Sequence, residues 1–74
     1  MSAQPDNEQL TPREFEVAKL VAEALTDNQI AFKLHLSGFT VRYHVDNILY
    51  KLGLPNRVAI CKWWHRNYYQ PPTI

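Results

Sequence analysis

The side chains with the greatest chemical reach stand together in the middle of the chain. Arg42, Tyr43 and Asp46 fall within five residues, flanked by Phe39 and Tyr50 and preceded by the hydroxyls of Ser37 and Thr40. A guanidinium is a planar fork that donates two parallel hydrogen bonds to a matching pair of acceptors. A phenol adds a ring edge and a hydroxyl, and a carboxylate accepts from amines. Such a set is suited to recognising polar groups. Ser37 and His44 flank a turn, but helix capping accounts for Ser37, and no acid is placed to orient the histidine as a base. Cys61 and His65 stand four apart, half of a zinc site that a symmetric partner could complete. A small apolar role explains Cys61 without any metal, His65 and His35 read as exposed, and neither metal nor cofactor is expected. With no glycine-rich phosphate loop and too short a chain for a deep pocket, an enzyme is not expected.

These residues need a scaffold, and the punctuation of the sequence predicts one made of helices. Thr11, Pro12 and Glu14 form a helix start: a capping hydroxyl, a proline at the first helical position, and a carboxylate closing the capping box. Leu10 is set to staple onto Phe15. Val17, Leu20, Val21, Ala24 and Leu25 recur at three- and four-residue steps, so the first helix runs to about Ala24. Thr26 and Gln29 repeat the box and open a short second helix, from about Asp27 to Leu34, with Ile30, Ala31 and Leu34 inward. His35 to Gly38 is a tight turn, and Ser37 caps a third helix ending at Leu52 before Gly53, the expected left-handed stop. Val41, Val45, Ile48, Leu49 and Leu52 form its apolar stripe. Asn56 caps a fourth helix from about Arg57 to Asn67. No segment alternates as strands do. The expectation is an all-α, four-helix domain over 10–67, with a polar arm at 1–9 and a proline-bearing tail at 68–74.

The size and charge of the chain set bounds on what this scaffold does. Seventy-four residues, 46% of them hydrophobic, make one small domain. Chains of this length bury only about 60% of their unfolded surface, so dimerisation is a natural supplement. No apolar run approaches the ~20 residues of a membrane span, and the first residues lack the basic start and apolar core of a secretory signal. A single cysteine fits a reducing cytoplasm. The formal net charge of +1 is uninformative until it is divided. Residues 1–27 carry six acids against Arg13 and Lys19, a net of −4. Residues 28–74 carry six bases against Asp46 alone, a net of +5, which hints at a surface facing a polyanion.

A short helix, a tight turn and a longer, more basic helix make a helix-turn-helix. The residues sharpen that pattern. Leu10 to Glu14, Thr26 with Gln29-Ile30-Ala31, Leu34 to His44, Asn47-Ile48, Lys51 to Leu54 and Asn56-Arg57 together resemble the LuxR/GerE-type DNA-binding domain, the four-helix output module of bacterial transcription regulators. The resemblance covers about residues 10–66. It implies double-stranded DNA as partner, with the third helix in the major groove.

The third helix turns Val41, Val45, Ile48 and Leu52 inward, leaving Phe39, Arg42, Tyr43, Asp46 and Tyr50 outward. The resemblance implies that Arg42, Tyr43 and Asp46 read bases: the Arg fork on guanine O6 and N7, Tyr43 on a thymine methyl or a phosphate. Family members often carry a base where Asp46 stands. An acid there accepts from cytosine N4, weakens binding to gain selectivity, or simply pairs with Arg42 one turn away. Backbone contacts fall to Asn28, Lys33, Ser37 and Thr40, with Lys51 and Arg57 further out. Asn28 replaces a common base, which implies a thin phosphate footprint and a shallow salt dependence. His44 matches a family histidine and reads as structural, bonded to nearby backbone.

On the fourth helix Ile60, Cys61 and Trp64 close the core, while Val58, Ala59, Lys62, Trp63 and Arg66 look elsewhere. The resemblance makes that second set the homodimer contact, placing two reading helices about one DNA turn (~34 Å) apart on a palindromic site. Trp63 packed on Tyr68 or Tyr69 is the alternative. The competing function is a protein-interaction module that acts on another regulator through the aromatic fourth helix and tail. A complete small regulator and the output part of a longer one both suit these residues.

Overall fold

Each of the first three helices begins on a hydroxyl, and the fourth on an amide. In the computed structural model, which describes residues 10–68, Thr11 Oγ1 accepts from Glu14 N and the Glu14 carboxylate accepts from Thr11 N, both at 3.1 Å. Thr26 and Gln29 repeat this reciprocal box at 3.2 and 2.8 Å. Ser37 Oγ accepts from Thr40 N at 3.0 Å, and Asn56 Oδ1 from Ala59 N at 3.0 Å. The helices that follow are α1 (Pro12–Ala22), α2 (Asp27–Leu34), α3 (Gly38–Leu52) and α4 (Arg57–Tyr68), with no strand among the described residues. The expected all-α, four-helix architecture is what the chain adopts. The arm at 1–9 and the tail from 69 onward, Tyr69 included, lie outside the described residues.

The first three helices also end alike. Leu25 N donates to Leu20 O, Leu36 N to Ala31 O and Leu54 N to Leu49 O, each reaching back over a residue in the left-handed conformation. Those residues are Ala24 (φ 68°), His35 (φ 60°) and Gly53 (φ 66°). The leucine that follows each stop packs on the core. This is the Schellman ending with its hydrophobic contact. It corrects the reach of α1, which stops at Ala22, so that Ala24 is exposed rather than part of the apolar stripe. At the other end, α4 runs one residue beyond Asn67, because Tyr68 packs its ring against Phe15 at 5.1 Å and so holds the last turn.

α1 lies against α3 and α4, and α2 against α3. Ile30, Ile48, Ile60, Val17, Val21 and Val41 are fully buried where these helices meet. The stripes expected on α1, α2 and α3 supply this core.

The phase of α4 differs from expectation. Trp63, expected outward, is 7% exposed, with its ring 5.6 Å from Tyr68 and 6.2 Å from Trp64. Trp64 is half-buried edge-on to Phe15 at 5.3 Å. Both indoles are engaged, because Tyr68 meets Trp63 and Trp64 while Phe15 meets Trp64 and Tyr68. Cys61 Sγ donates to Val21 O, which fixes the helix against α1.

Candidate nucleic-acid interface

α3 is held in place by its inner face and its flank. Val41, Val45 and Ile48 are buried, and beside them Lys51 reaches across to α1. Lys51 Nζ donates to Glu14 Oε1 at 2.7 Å, and Glu14 is almost wholly enclosed. Burial alone would push the Glu14 carboxyl up. The Lys51 hydrogen bond, the Thr11 N–H and the charges of Lys51 and His44 outweigh it and hold the group below its ordinary value. His44 lies half-buried on this flank with its Nδ1 enclosed and without a hydrogen-bond partner. That corrects the reading of His44 as bonded to nearby backbone.

The outer face of α3 is exposed as the stripe requires. Phe39 and Tyr50 are 87% and 88% exposed, and Tyr43 61%. Arg42 Nε lies 3.6 Å from Asp46 Oδ1 with both side chains about two-thirds in solvent. The pairing one turn apart, one of three readings of Asp46, is therefore present in the free domain. It leaves the guanidinium's terminal nitrogens unused by that contact. At the head of the helix Ser37 Oγ donates to Thr40 Oγ1 at 2.9 Å. A Cβ added at Gly38 would come within 3.1 Å of Asn28 Oδ1, so the Asn28 amide lies over the first turn of α3. Lys33 is exposed at the end of α2. The structure thus brings Arg42, Tyr43, Asp46, Ser37, Thr40 and Asn28 onto one end and one face of the turn and third helix.

Two bases expected at the rim are turned inward. Lys51 is held by Glu14. Arg57 Nη1 donates to Asp27 Oδ1 at 2.5 Å and Nη2 to Leu25 O at 2.8 Å, tying the start of α4 to the start of α2. Asp27, Arg42, Asp46 and Arg57 line an open cleft of ≈ 300 Å³ with Val45 and Leu49, two acids and two bases that balance one another. The Glu14–Lys51 and Asp27–Arg57 pairs were not foreseen. The available signal for Lys51 was its place seven residues after His44 and three after Ile48, on the edge of the apolar stripe. On α4, Val58 is 62% exposed, Lys62 and Arg66 are exposed and Ala59 half-buried, whereas Trp63 is absent from that surface. His65 Nδ1 faces Cys61 O at 2.8 Å and so donates to it.

Residues 8–64 match the family described as bacterial regulatory proteins, luxR family (GerE). The chain belongs to that family. The luxR-family chain is 41% identical over 61 residues to the nitrate/nitrite response regulator protein NarL of Escherichia coli K12, which covers 82% of this chain and 28% of NarL. It is 39% identical over 62 residues to the transcriptional regulatory protein LiaR of Bacillus subtilis, covering 84% of this chain and 29% of LiaR. A putative HTH-type transcriptional regulator of Mycobacterium tuberculosis is 45% identical over 51 residues, 69% of this chain and 6% of that protein. The chain therefore spans less than a third of the length of these relatives. The luxR-family helix-turn-helix is a DNA-binding domain of transcription regulators, and the four helices here are that domain.

Proposed function

We propose that this luxR-family domain binds a palindromic promoter site as a homodimer, with α3 of each protomer in the major groove. Arg42 donates its fork to guanine O6 and N7, Tyr43 and Asp46 contact neighbouring bases, and Ser37, Thr40, Asn28 and Lys33 hold the phosphates. Lys51 and Arg57, engaged by Glu14 and Asp27, are left out of that set. Val58, Ala59, Lys62 and Arg66 make the two-fold contact. Among the described residues no helix is long and apolar enough to cross a membrane, and a promoter-binding regulator works in the bacterial cytoplasm.

The observation that carries this reading is the exposed outer face of α3, which bears Arg42, on a helix whose opposite side buries Val41, Val45 and Ile48 in the core. The competing module, acting through the aromatic fourth helix and tail, loses the support of the helix because Trp63, Trp64 and Tyr68 are packed on one another and on Phe15, while the tail lies outside the described residues. Selection of bound duplexes from a random DNA pool at a fixed salt concentration tests the proposal. A palindromic site with an invariant guanine in each half is expected, and Arg42→Ala should relax that position at a cost of ~1–3 kcal/mol. Failure to enrich any sequence would overturn DNA recognition in favour of protein interaction.

A further inference from the structure

The aromatic residues of α1, α3 and α4 are divided into two sets with opposite fates. Phe15, Trp63, Trp64 and Tyr68 gather between α1 and α4 in mutual ring contacts. Phe39, Tyr43 and Tyr50 stand in solvent on α3, more than half exposed in every case. On a helix turning ~100° per residue, Phe39, Tyr43, Asp46 and Tyr50 fall within ~60° of one another. They form a single stripe, bordered by Arg42.

The charge of this face is close to neutral. Arg42 is accompanied by Asp46, and the nearby bases Lys51 and Arg57 are paired with Glu14 and Asp27 in part-buried contacts. A duplex held by this face cannot depend mainly on counterion release, which requires unpaired cations against phosphates. Base-edge contacts then carry a larger share of the affinity, beside the phosphate contacts of Ser37, Thr40, Asn28 and Lys33. In the major groove, the apolar group on those edges is the C5 methyl of thymine, and phenylalanine is among the side chains that meet it. The residues nearest the start of a reading helix approach the bases most closely; here these are Phe39, in the first turn, and Tyr43, one turn on.

Resting on the proposed DNA reading, we infer that Phe39, one turn before Tyr43, is itself a thymine-methyl reader, so that the site carries a thymine for Phe39 as well as for Tyr43 beside the guanine contacted by Arg42. The methyl groups then supply affinity that most of the flanking charge cannot. Losing one buried methyl corresponds to about fourfold in binding, and losing two in a half-site to about fifteenfold.

The test replaces thymine by uracil, which deletes the methyl and leaves every hydrogen-bonding group and charge in place. The duplex enriched from the random pool is resynthesised with deoxyuridine at each thymine in turn, and dissociation constants are measured at one salt concentration. The expected result is a loss of about fourfold at one or two positions next to the guanine. Phe39→Ala should weaken binding to the thymine duplex by a similar factor and show no further loss on the uracil duplex. Phe39 is 87% exposed, so this variant retains its core, and an unchanged thermal melt confirms that it is folded. Phe32→Ala, which removes an equally exposed ring on α2, should keep the full uracil penalty. Equal affinity for thymine and uracil duplexes, with the guanine still required by Arg42, would overturn methyl reading and leave DNA binding standing. Enrichment of no duplex at all would overturn both.

Discussion

Replacing Lys51 by methionine should unfold this domain more readily near neutral pH and much less so in acid. Lys51 Nζ sits 2.7 Å from Glu14 Oε1. Two unit charges at that separation attract by ~6 kcal/mol at an effective dielectric constant of about 20, a gross figure opposed by the desolvation of both ions. Removing one partner from a fully buried pair costs ~3–5 kcal/mol, since the remaining charge is stranded. The Glu14 side chain is 5% exposed but Lys51 keeps 30% of its side chain in solvent, which reduces the expected cost to ~2–3 kcal/mol. For a domain of this size that is a fall in Tm of ~10–20 °C. Methionine preserves the apolar stem, so the loss reports the charge and not the packing.

The pH dependence separates this account from a packing defect. Glu14 is held below its ordinary value in the fold. Its ionised form therefore contributes stability that is complete above the unfolded pKa and disappears as pH falls through the lower folded one. In Lys51→Met two of the lowering causes are gone and burial remains, so the carboxyl is pushed up and protonation relieves the strain. The gap between wild type and variant, measured by circular dichroism melts, should close as pH drops from 7 to about 4. Glu14→Gln combined with Lys51→Met, in which Gln still accepts from the Thr11 N–H, should lie within ~1 kcal/mol of wild type. A gap that stays constant with pH, or a double variant no better than Lys51→Met, would refute the ion-pair reasoning.

Three further outcomes follow from the geometry. Ala24→Gly should stabilise the domain by up to ~1 kcal/mol, read as a Tm rise of several degrees, because Ala24 occupies φ 68° at the end of α1. Trp63→Ala should cost ~3–5 kcal/mol and lose helical signal at moderate temperature; a fully folded variant with weaker self-association alone would return Trp63 to the dimer surface. With Lys51 and Arg57 engaged internally, about two cationic contacts per protomer remain. A plot of log affinity against log salt for the dimer should then be no steeper than about −4, and Lys51→Met at a temperature where it is folded should leave that slope unchanged.

How far the sequence anticipates this molecule depends on the range of the interaction concerned. The capping hydroxyls of Thr11, Thr26 and Ser37 bond to residues three positions away, so residue type and spacing suffice to locate the helix starts. The inward stripe of α3 is equally local, and with it the exposed face bearing Arg42, Tyr43 and Asp46. The phase of α4 is not local. Trp63 and Trp64 lie ~100° apart on that helix, and which is enclosed depends on where Phe15 and Val21 of α1 stand. The ion pairs are further still from the reach of spacing, since Glu14 and Lys51 are 37 residues apart and Asp27 and Arg57 30. Those two pairs change what the charge asymmetry means. Six bases after residue 27 describe a polyanion-facing surface only while all six are free. With two of them bound to acids of the first 27 residues, part of the −4 and part of the +5 neutralise each other inside the fold. The surplus left for DNA is small, and discrimination between sequences then falls to the base-edge contacts of α3, where a single guanidinium is surrounded by rings.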